Sequence, residues 1–415
     1  MSIQDNQNLY TIKRSIVHSG YDRKTCWTHA RSGFIPGENP VGVITSHSLD
    51  IKGCDVFYDV HHMLSYDNGE TWSEFKPNKK SLGRREIRRE ISPGEQVVEG
   101  PWREGCKETY REMGPFEQAF CEPWPEYHSQ SGKLLCTGQT AEYSNNTIKS
   151  IKDRSTAFSV YSQDTDSWSP FQCIKGINKD LFPNEGAGST QRYDKADGTI
   201  LLPTYAARYV PVGYLAFFST VLHCSFDGEN LAYIKHGSEI WIDDPEMHRG
   251  RSNYEPSLAF CNDLYYLTIR NEFKGYVTTS KDGLNYAPVK EWTWDDGTPL
   301  GNYDTQQHWL THKNRLFLIY TRKNNKNSHV MLHRAPLYMA EVDTGKVCVI
   351  KETERILVPE HGARLGNFGV TKVSDTEYWV VVSEWMQTKY PNFDDSTICE
   401  KYGSDNRIFL VKILF

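Results

Sequence analysis

The chain has 415 residues, a formal net charge of −6 and 13% aromatic residues, among them 11 Trp and 24 Tyr. That acidic balance excludes a nucleic-acid partner held by a broadly basic surface, and no apolar run is long enough for a membrane-spanning helix. No Pro/Ser/Gly-rich linker or change of composition divides the sequence, so residues 1–415 read as a single domain. The start, MSIQDNQNLY, has no apolar h-region, which reads as cytoplasmic for the chain as given and as secreted or periplasmic if a signal peptide was removed. Ten Cys are scattered without CxxC or metal-ligand spacing, and several, such as Cys136 and Cys224, lie in apolar runs. They read as reduced, buried thiols, and no metal or other cofactor is expected.

The first strand-like run in chain order is TIKRSIVH, from Thr11. HARSGFIPG follows, with Arg31 just before an aromatic turn, and then GCDVFYD, which carries Asp55 and Asp59 ahead of His61 and His62. SYDNGETW, Ser65–Trp72, has the residues of a hairpin turn: an Asp to cap turn N–H groups, a Gly for positive φ and a Trp to pack beneath. Weaker echoes stand at Ser162 (SQDTDSW), Ser225 (SFDGENL) and Ser280 (SKDGLNY). A second series of polar turn plus short apolar strand runs in step with them: SGKLLCTGQT, DGTILLPTYA, NDLYYLTIR, KNRLFLIYTR and DTEYWVVVSE. Both series recur about every 60 residues, which predicts an all-β, six-bladed propeller of four-stranded sheets. The first interval exceeds this period by about 35 residues and contains the basic run KKSLGRREIRRE, Lys79–Glu90. It reads as a charged insertion over approximately residues 76–120 on one propeller face, either solvated, covering the site or mediating a homo-oligomer. The closing run RIFLVKILF, Arg407–Phe415, is expected to pair with the run from Thr11 in one blade and so remove two sheet edges.

A propeller gathers inner-strand ends around its axis, so charged residues at strand edges are the candidate site. In YEPSLAFCNDLYYLTIRNE, Glu255 precedes one strand and Arg270 ends the next. Arg334 stands before the strand in HRAPLYMAEVD. With Arg31 these give three guanidiniums from three blades, a fork-shaped clamp for a carboxylate. His308 in TQQHWLTH and His333 in SHVMLHRAP are candidate acid–base groups. Gln191 and Arg192 in GAGSTQRYD, and Trp124 in CEPWPEYH, fit a sugar-binding face or turn structure equally.

These features resemble the sialidase (neuraminidase) superfamily of Asp-box six-bladed propellers. Arg31, Arg270 and Arg334 fall where that family has its three carboxylate-binding arginines, Glu255 where it has its Glu, and Asp59 where it has its acid/base Asp, with Asp55 as rival. The resemblance implies an exo-acting glycoside hydrolase for a terminal acidic sugar, with a carboxylate-bearing carbohydrate as partner. One feature departs from it. The family's Tyr nucleophile is replaced in GARLGNFGVTKV by Asn367 and Phe368, so another Tyr (Tyr205, Tyr303 or Tyr390), an inverting water or different chemistry must serve. In this the chain is similar to bacterial sialidase-like proteins lacking the usual Tyr. The alternatives are a polysaccharide lyase or rhamnosidase-type enzyme on uronate-containing glycans using His, and a non-catalytic carbohydrate-binding propeller.

Overall fold

The computed structural model describes residues 9–53, 55–87, 116–144, 146–148, 154–209, 215–242, 252–389 and 391–415. Their strands form six antiparallel sheets. The first blade runs through Thr25–Ile35, Val41–Asp50, Phe57–Ser65 and Lys76–Pro77. The second is the largest and is built on Phe116–His128, Lys133–Ser144 and Thr156–Ser162. The third holds Tyr193–Asp194, Thr199–Tyr209, Leu215–Phe226 and Leu231–His236; the fourth holds Tyr254–Cys261, Leu264–Arg270, Tyr276–Ser280 and Lys290–Glu291. The fifth is carried by His308–His312, Arg315–Tyr320 and Leu337–Asp343. The sixth has Phe368–Lys372 inside, then Glu377–Ser383, Ile408–Leu414 and, outermost, Thr11–His18. The protein is thus an all-β, six-bladed propeller, and the expected pairing of the two chain ends is present, with Thr11 opposite Leu414 and Ile16 opposite Phe409.

The apolar core lies between blades rather than at one centre. Phe317 and Met339 of the fifth blade meet Val370, Val380 and Val411 of the sixth in one cluster. Strands such as EYWVVVS are therefore buried on both faces and read as continuous apolar runs instead of alternating. The SYDNGETW turn closes as its residue types demand. Asp67 Oδ1 accepts from the amides of Glu70 and Thr71 at 3.1 and 2.9 Å, and the Gly69 amide donates to Ser65 Oγ at 2.7 Å. Gly69 has φ +78°, and a Cβ there would lie 3.0 Å from Leu410 and Trp379, so the position needs Gly for both conformation and space. The turn at Ser280 repeats this arrangement through Asp282 and the amides of Leu284 and Asn285.

Of the insertion expected at approximately 76–120, residues 88–115 lie outside the described residues. The flanking segments belong to the blades: Lys76–Pro77 ends the first and Arg85–Ile87 pairs with Phe116–Gln118 in the second. Two arginines of the basic run lie over aromatic rings, Arg84 half-buried and Arg85 exposed. Arg84 lies 4.0 Å over the Tyr143 ring and donates to the Phe57 carbonyl, and Arg85 lies 3.9 Å over Phe171. Among the described residues eight Cys are free thiols, all buried except Cys173, which is half-buried. No described helix is long and apolar enough to cross a membrane.

Removing residues 1–18 leaves Ile408–Leu414 as an unpaired apolar edge. The expected result is a thermal midpoint lower by about 10 °C or more, with self-association in size-exclusion chromatography. An unchanged midpoint contradicts a stabilising closure.

Candidate active site

The inner strands of three blades carry the same one-residue bulge. In the first blade Thr28 pairs with His47 and Arg31 with Thr45. In the second Cys121 pairs with Gln139 and Trp124 with Thr137; in the fourth Tyr254 pairs with Arg270 and Ser257 with Thr268. Each time three steps on the inner strand oppose two on its neighbour. The extra length is taken up by His29, Glu122 and Glu255, at φ 53°, 56° and 47°. Positive φ at a non-Gly residue costs roughly 1–3 kcal/mol and persists where the surroundings dictate it, and bulges of this kind re-aim side chains. Here they present one imidazole and two carboxyl groups to the axis.

Around Glu255 the charges are dense. Arg270 Nη1 donates to Glu255 Oε2 at 2.6 Å, and Arg270 Nη2 to Asp304 Oδ1 at 2.8 Å. Tyr254 donates its hydroxyl to the same Asp304 oxygen at 2.8 Å, and its ring lies 4.5 Å under the Arg270 guanidinium. From the next blade, Arg334 donates to the Asp304 carbonyl and reaches within 3.5 Å of Asp304 Oδ1. Arg270 and Arg334 thus meet on one carboxylate that the sequence reading missed. Gly366 makes room for Arg334, since a Cβ there would stand 2.9 Å from its Cδ.

Arg31 is fully buried, and protein acceptors surround it. It donates to the carbonyls of Phe368 and Glu122, both at 3.1 Å, to Ser189 Oγ at 2.8 Å and to Gln306 Oε1 at 3.0 Å. These belong to the sixth, second, third and fifth blade sectors, so Arg31 is a crossbar on the axis. Its placement differs from that of an arginine with its fork turned to a ligand. The sequence places Arg31 four residues before Ile35-Pro36, and the bulge at His29 turns it inward.

Several other expected site residues are also structural in their placement. His308 is fully buried, with Nδ1 2.7 Å from Ser257 Oγ and Nε2 3.3 Å from Gln306 Oε1, between the rings of Trp124 and Phe368. Burial, then Arg31, pushes its pKa well below the usual His value. Trp124 itself is buried, with the Arg31 guanidinium 5.2 Å from its ring. Gln191 both donates to and accepts from the Trp309 backbone, joining blades three and five. Arg192 staples blade three to blade two through Leu135 O and Glu126 O while pairing with Asp194. Asp59 is half-buried on the third strand of the first blade, two strands outward from the axis, with Oδ1 beside Gly83. Asp55 stands at the entry to that strand, its carbonyl accepting from Tyr143. His333 is half-buried in the loop before Arg334, with Tyr303 on its Nδ1.

Asn367 and Phe368 fill the place expected for a Tyr. Asn367 Nδ2 donates to His29 Nε2 at 2.7 Å and its Oδ1 accepts from Gln306 at 3.2 Å, while Phe368 packs on His308. Of the other Tyr considered, Tyr205 donates to Gln139 and Tyr303 contacts His333, and Tyr390 lies outside the described residues. Besides Asp304, sequence reasoning missed Glu122, Gln139 and His29. The available signal for Glu122 was its Pro: CEPW and YEPS set Glu122 and Glu255 in the same local pattern. Among the described residues no group of three or more His, Cys, Asp or Glu is placed to hold a metal ion.

No protein-family model and no curated protein sequence matches the chain. Solved structures do. A protein of unknown function from Dyadobacter fermentans superposes with a TM-score of 0.62 at 12% identity, covering 97% of this chain and 99% of that one. NanB sialidase from Streptococcus pneumoniae gives a TM-score of 0.60 at 10% identity, over 96% of this chain and 70% of NanB. Trypanosoma rangeli sialidase bound to the inhibitor DANA gives 0.55 at 12% identity, over 97% of this chain but only 59% of that enzyme. The fold is that of the sialidase propellers.

Proposed function

We propose that the protein is an exo-acting glycoside hydrolase that removes a terminal acidic sugar at the propeller axis. The observation that carries this reading is the meeting of Arg270 and Arg334, from adjacent blades, on Asp304 beside Glu255. Two buried guanidiniums need anionic company, and a planar carboxylate on a sugar suits their forks. On this reading the substrate carboxylate takes up Arg270 and Arg334 next to Asp304, and Arg31 supports the site from the axis. Glu255 is the base that takes a proton from water as it attacks the anomeric carbon. The likeness to two sialidases supports the fold on which such a site is built, and the sugar class rests on the arginines.

The test is release of the aryl alcohol from a panel of aryl glycosides of sialic, glucuronic and galacturonic acids, with the neutral glucoside as control. Release from one acidic member and not from the glucoside is expected. A second reading, a non-catalytic carbohydrate-binding propeller, is favoured by Phe368 and Asn367 in place of a nucleophile. Calorimetric binding of an acidic sugar without release of any aryl group would establish that reading instead. Under either, Arg334→Ala is expected to weaken the acidic ligand by about 2–5 kcal/mol, the cost of removing one partner of a buried, hydrogen-bonded charge pair. Unchanged affinity by calorimetry would take Arg334 out of the site.

A further inference from the structure

The bulges of the second and fourth blades share a pattern and differ in the partner given to the Glu side chain. Both place a Glu before a Pro at positive φ, Glu122 at 56° and Glu255 at 47°. Both have the residue before the Glu paired across the sheet with the residue that binds the Glu side chain. In the fourth blade that residue is Arg270, which donates to Glu255 at 2.6 Å. In the second it is Gln139, which donates to Glu122 Oε2 at 3.0 Å. One carboxyl group therefore has a guanidinium as its partner and the other an uncharged amide. Two carboxyl groups in unequal surroundings divide acid and base roles between them. From this, and resting on the hydrolase reading above, we infer that Glu122 is the general acid of the reaction, the group that holds a proton and delivers it to the leaving oxygen.

The surroundings of Glu122 fit that role. Its Oε1 lies 3.8 Å from His29 Nε2, but that nitrogen accepts from Asn367, and burial followed by Arg31 keeps His29 well below the usual His range. His47 accepts from the Glu122 backbone amide at 3.2 Å, and burial pushes it down to about 3. Neither imidazole therefore supplies a positive charge. Arg31 spends its contact on the Glu122 carbonyl rather than on the carboxyl group. Burial first, and then the charge of Glu255, push Glu122 up to about 7, against the lowering effects of Arg31, Ser189 and Arg154. The space is made for it by Gly188, where a Cβ would stand 2.2 Å from Glu122 Oε2 and 2.3 Å from Gln139 Cδ.

The step balances without a co-reactant beyond water. The Glu122 O–H bond breaks as its proton passes to the glycosidic oxygen, and the C–O bond breaks with its electron pair going to that oxygen. Water forms the new bond to the anomeric carbon and gives its proton to the Glu255 carboxylate. Return of that proton to Glu122 through solvent restores the starting state. Because the acid form of Glu122 is the active one, kcat/KM is expected to fall as pH rises through about 7.

The experiment compares the wild-type protein with E122Q, which keeps the shape and the amide contacts but has no proton to give. Rates are read on an aryl and a methyl glycoside of the sugar the panel identifies. An acid assists a poor leaving group far more than a good one, so E122Q is expected to lose about 10²–10⁴-fold on the methyl glycoside and much less on the aryl one, and to lose the alkaline limb of the pH profile. Equal losses on both, with the limb intact, overturn the assignment and leave Glu122 a structural residue. Infrared difference spectra of wild type against E122Q at pH 6 provide a readout without turnover. A protonated-carboxyl C=O band present only in wild type is expected, and its absence overturns the inference even in an active hydrolase. If the band is present but no glycoside in the panel is cleaved, the hydrolase reading itself has failed, and the acid role falls with it.

Discussion

Glu255→Gln is expected to lower turnover of the true substrate by about 10²–10⁴-fold, the contribution usual for a general acid or base. The substitution retains the size and most of the hydrogen-bonding capacity of the side chain, and Arg270 keeps Asp304 as a partner at 2.8 Å. The unfolding midpoint should therefore move much less than the rate. Binding of the acidic sugar should survive, because in the proposed reading Arg270 and Arg334, and not Glu255, hold the sugar carboxylate. Single-turnover rates together with calorimetry separate the two effects. Wild-type turnover in the variant would remove Glu255 from the chemistry. Lost binding with residual turnover intact would make it a support of Arg270 instead. In the sialidase-type alternative the Glu activates a Tyr; of the Tyr near Glu255, Tyr254 donates to Asp304 and Tyr205 to Gln139. The expectation is built on the proposed reading, in which water is the nucleophile.

What was legible in the sequence was whatever recurs with a period. The turns at Ser65 and Ser280 repeat because each blade must reverse its chain in the same place, and the Asp–amide bonds that close them use a local set of residues. The pairing of Thr11–His18 with Ile408–Leu414 was legible from two apolar runs at the chain ends and the cost of leaving their edges open. The Glu255–Arg270 pair was also readable, because both residues lie on one hairpin. The axis was harder to read. Whether an arginine there faces a ligand or other blades depends on bulges that shift the register by one residue, and a one-residue slip turns a side chain to the other face. Arg31 and Arg334 look alike as strand-edge arginines, but one meets acceptors from four blades and the other meets Asp304. Asp304 lies in no strand and no motif, and it is marked out by its contacts with Arg270, Tyr254 and Arg334. Glu122 was passed over in favour of Trp124, two residues on, which the structure packs into the core. Its repetition of the Glu-Pro pattern needed the bulge geometry to gain meaning.

Arg31→Met is expected to destabilise the folded protein by about 3–5 kcal/mol, because it removes the donor from several enclosed acceptors at a cost of roughly 1–3 kcal/mol for each left unpaired. The four acceptors it serves are the carbonyls of Phe368 and Glu122, Ser189 Oγ and Gln306 Oε1, buried near the axis except at Glu122, which is half-buried. Met matches the length and much of the volume of the Arg stem, so packing against Gly369, whose Cβ position lies 2.8 Å from Arg31 Cγ, is preserved. The loss then reports on the donors. Water has little access to the vacated acceptors, and each buried carbonyl or amide left unpaired costs roughly 1–3 kcal/mol. Arg31→Lys keeps the charge but replaces a planar fork with a point donor, so it should recover only part of the stability. Denaturant midpoints for the two variants, with unchanged m-values, provide the measurement. A Met variant as stable as wild type but unable to bind the acidic sugar would return Arg31 to the ligand clamp and make its contacts with the other blades incidental. A destabilised variant whose folded fraction still binds would place recognition on Arg270 and Arg334, with Arg31 holding together the blades that carry them.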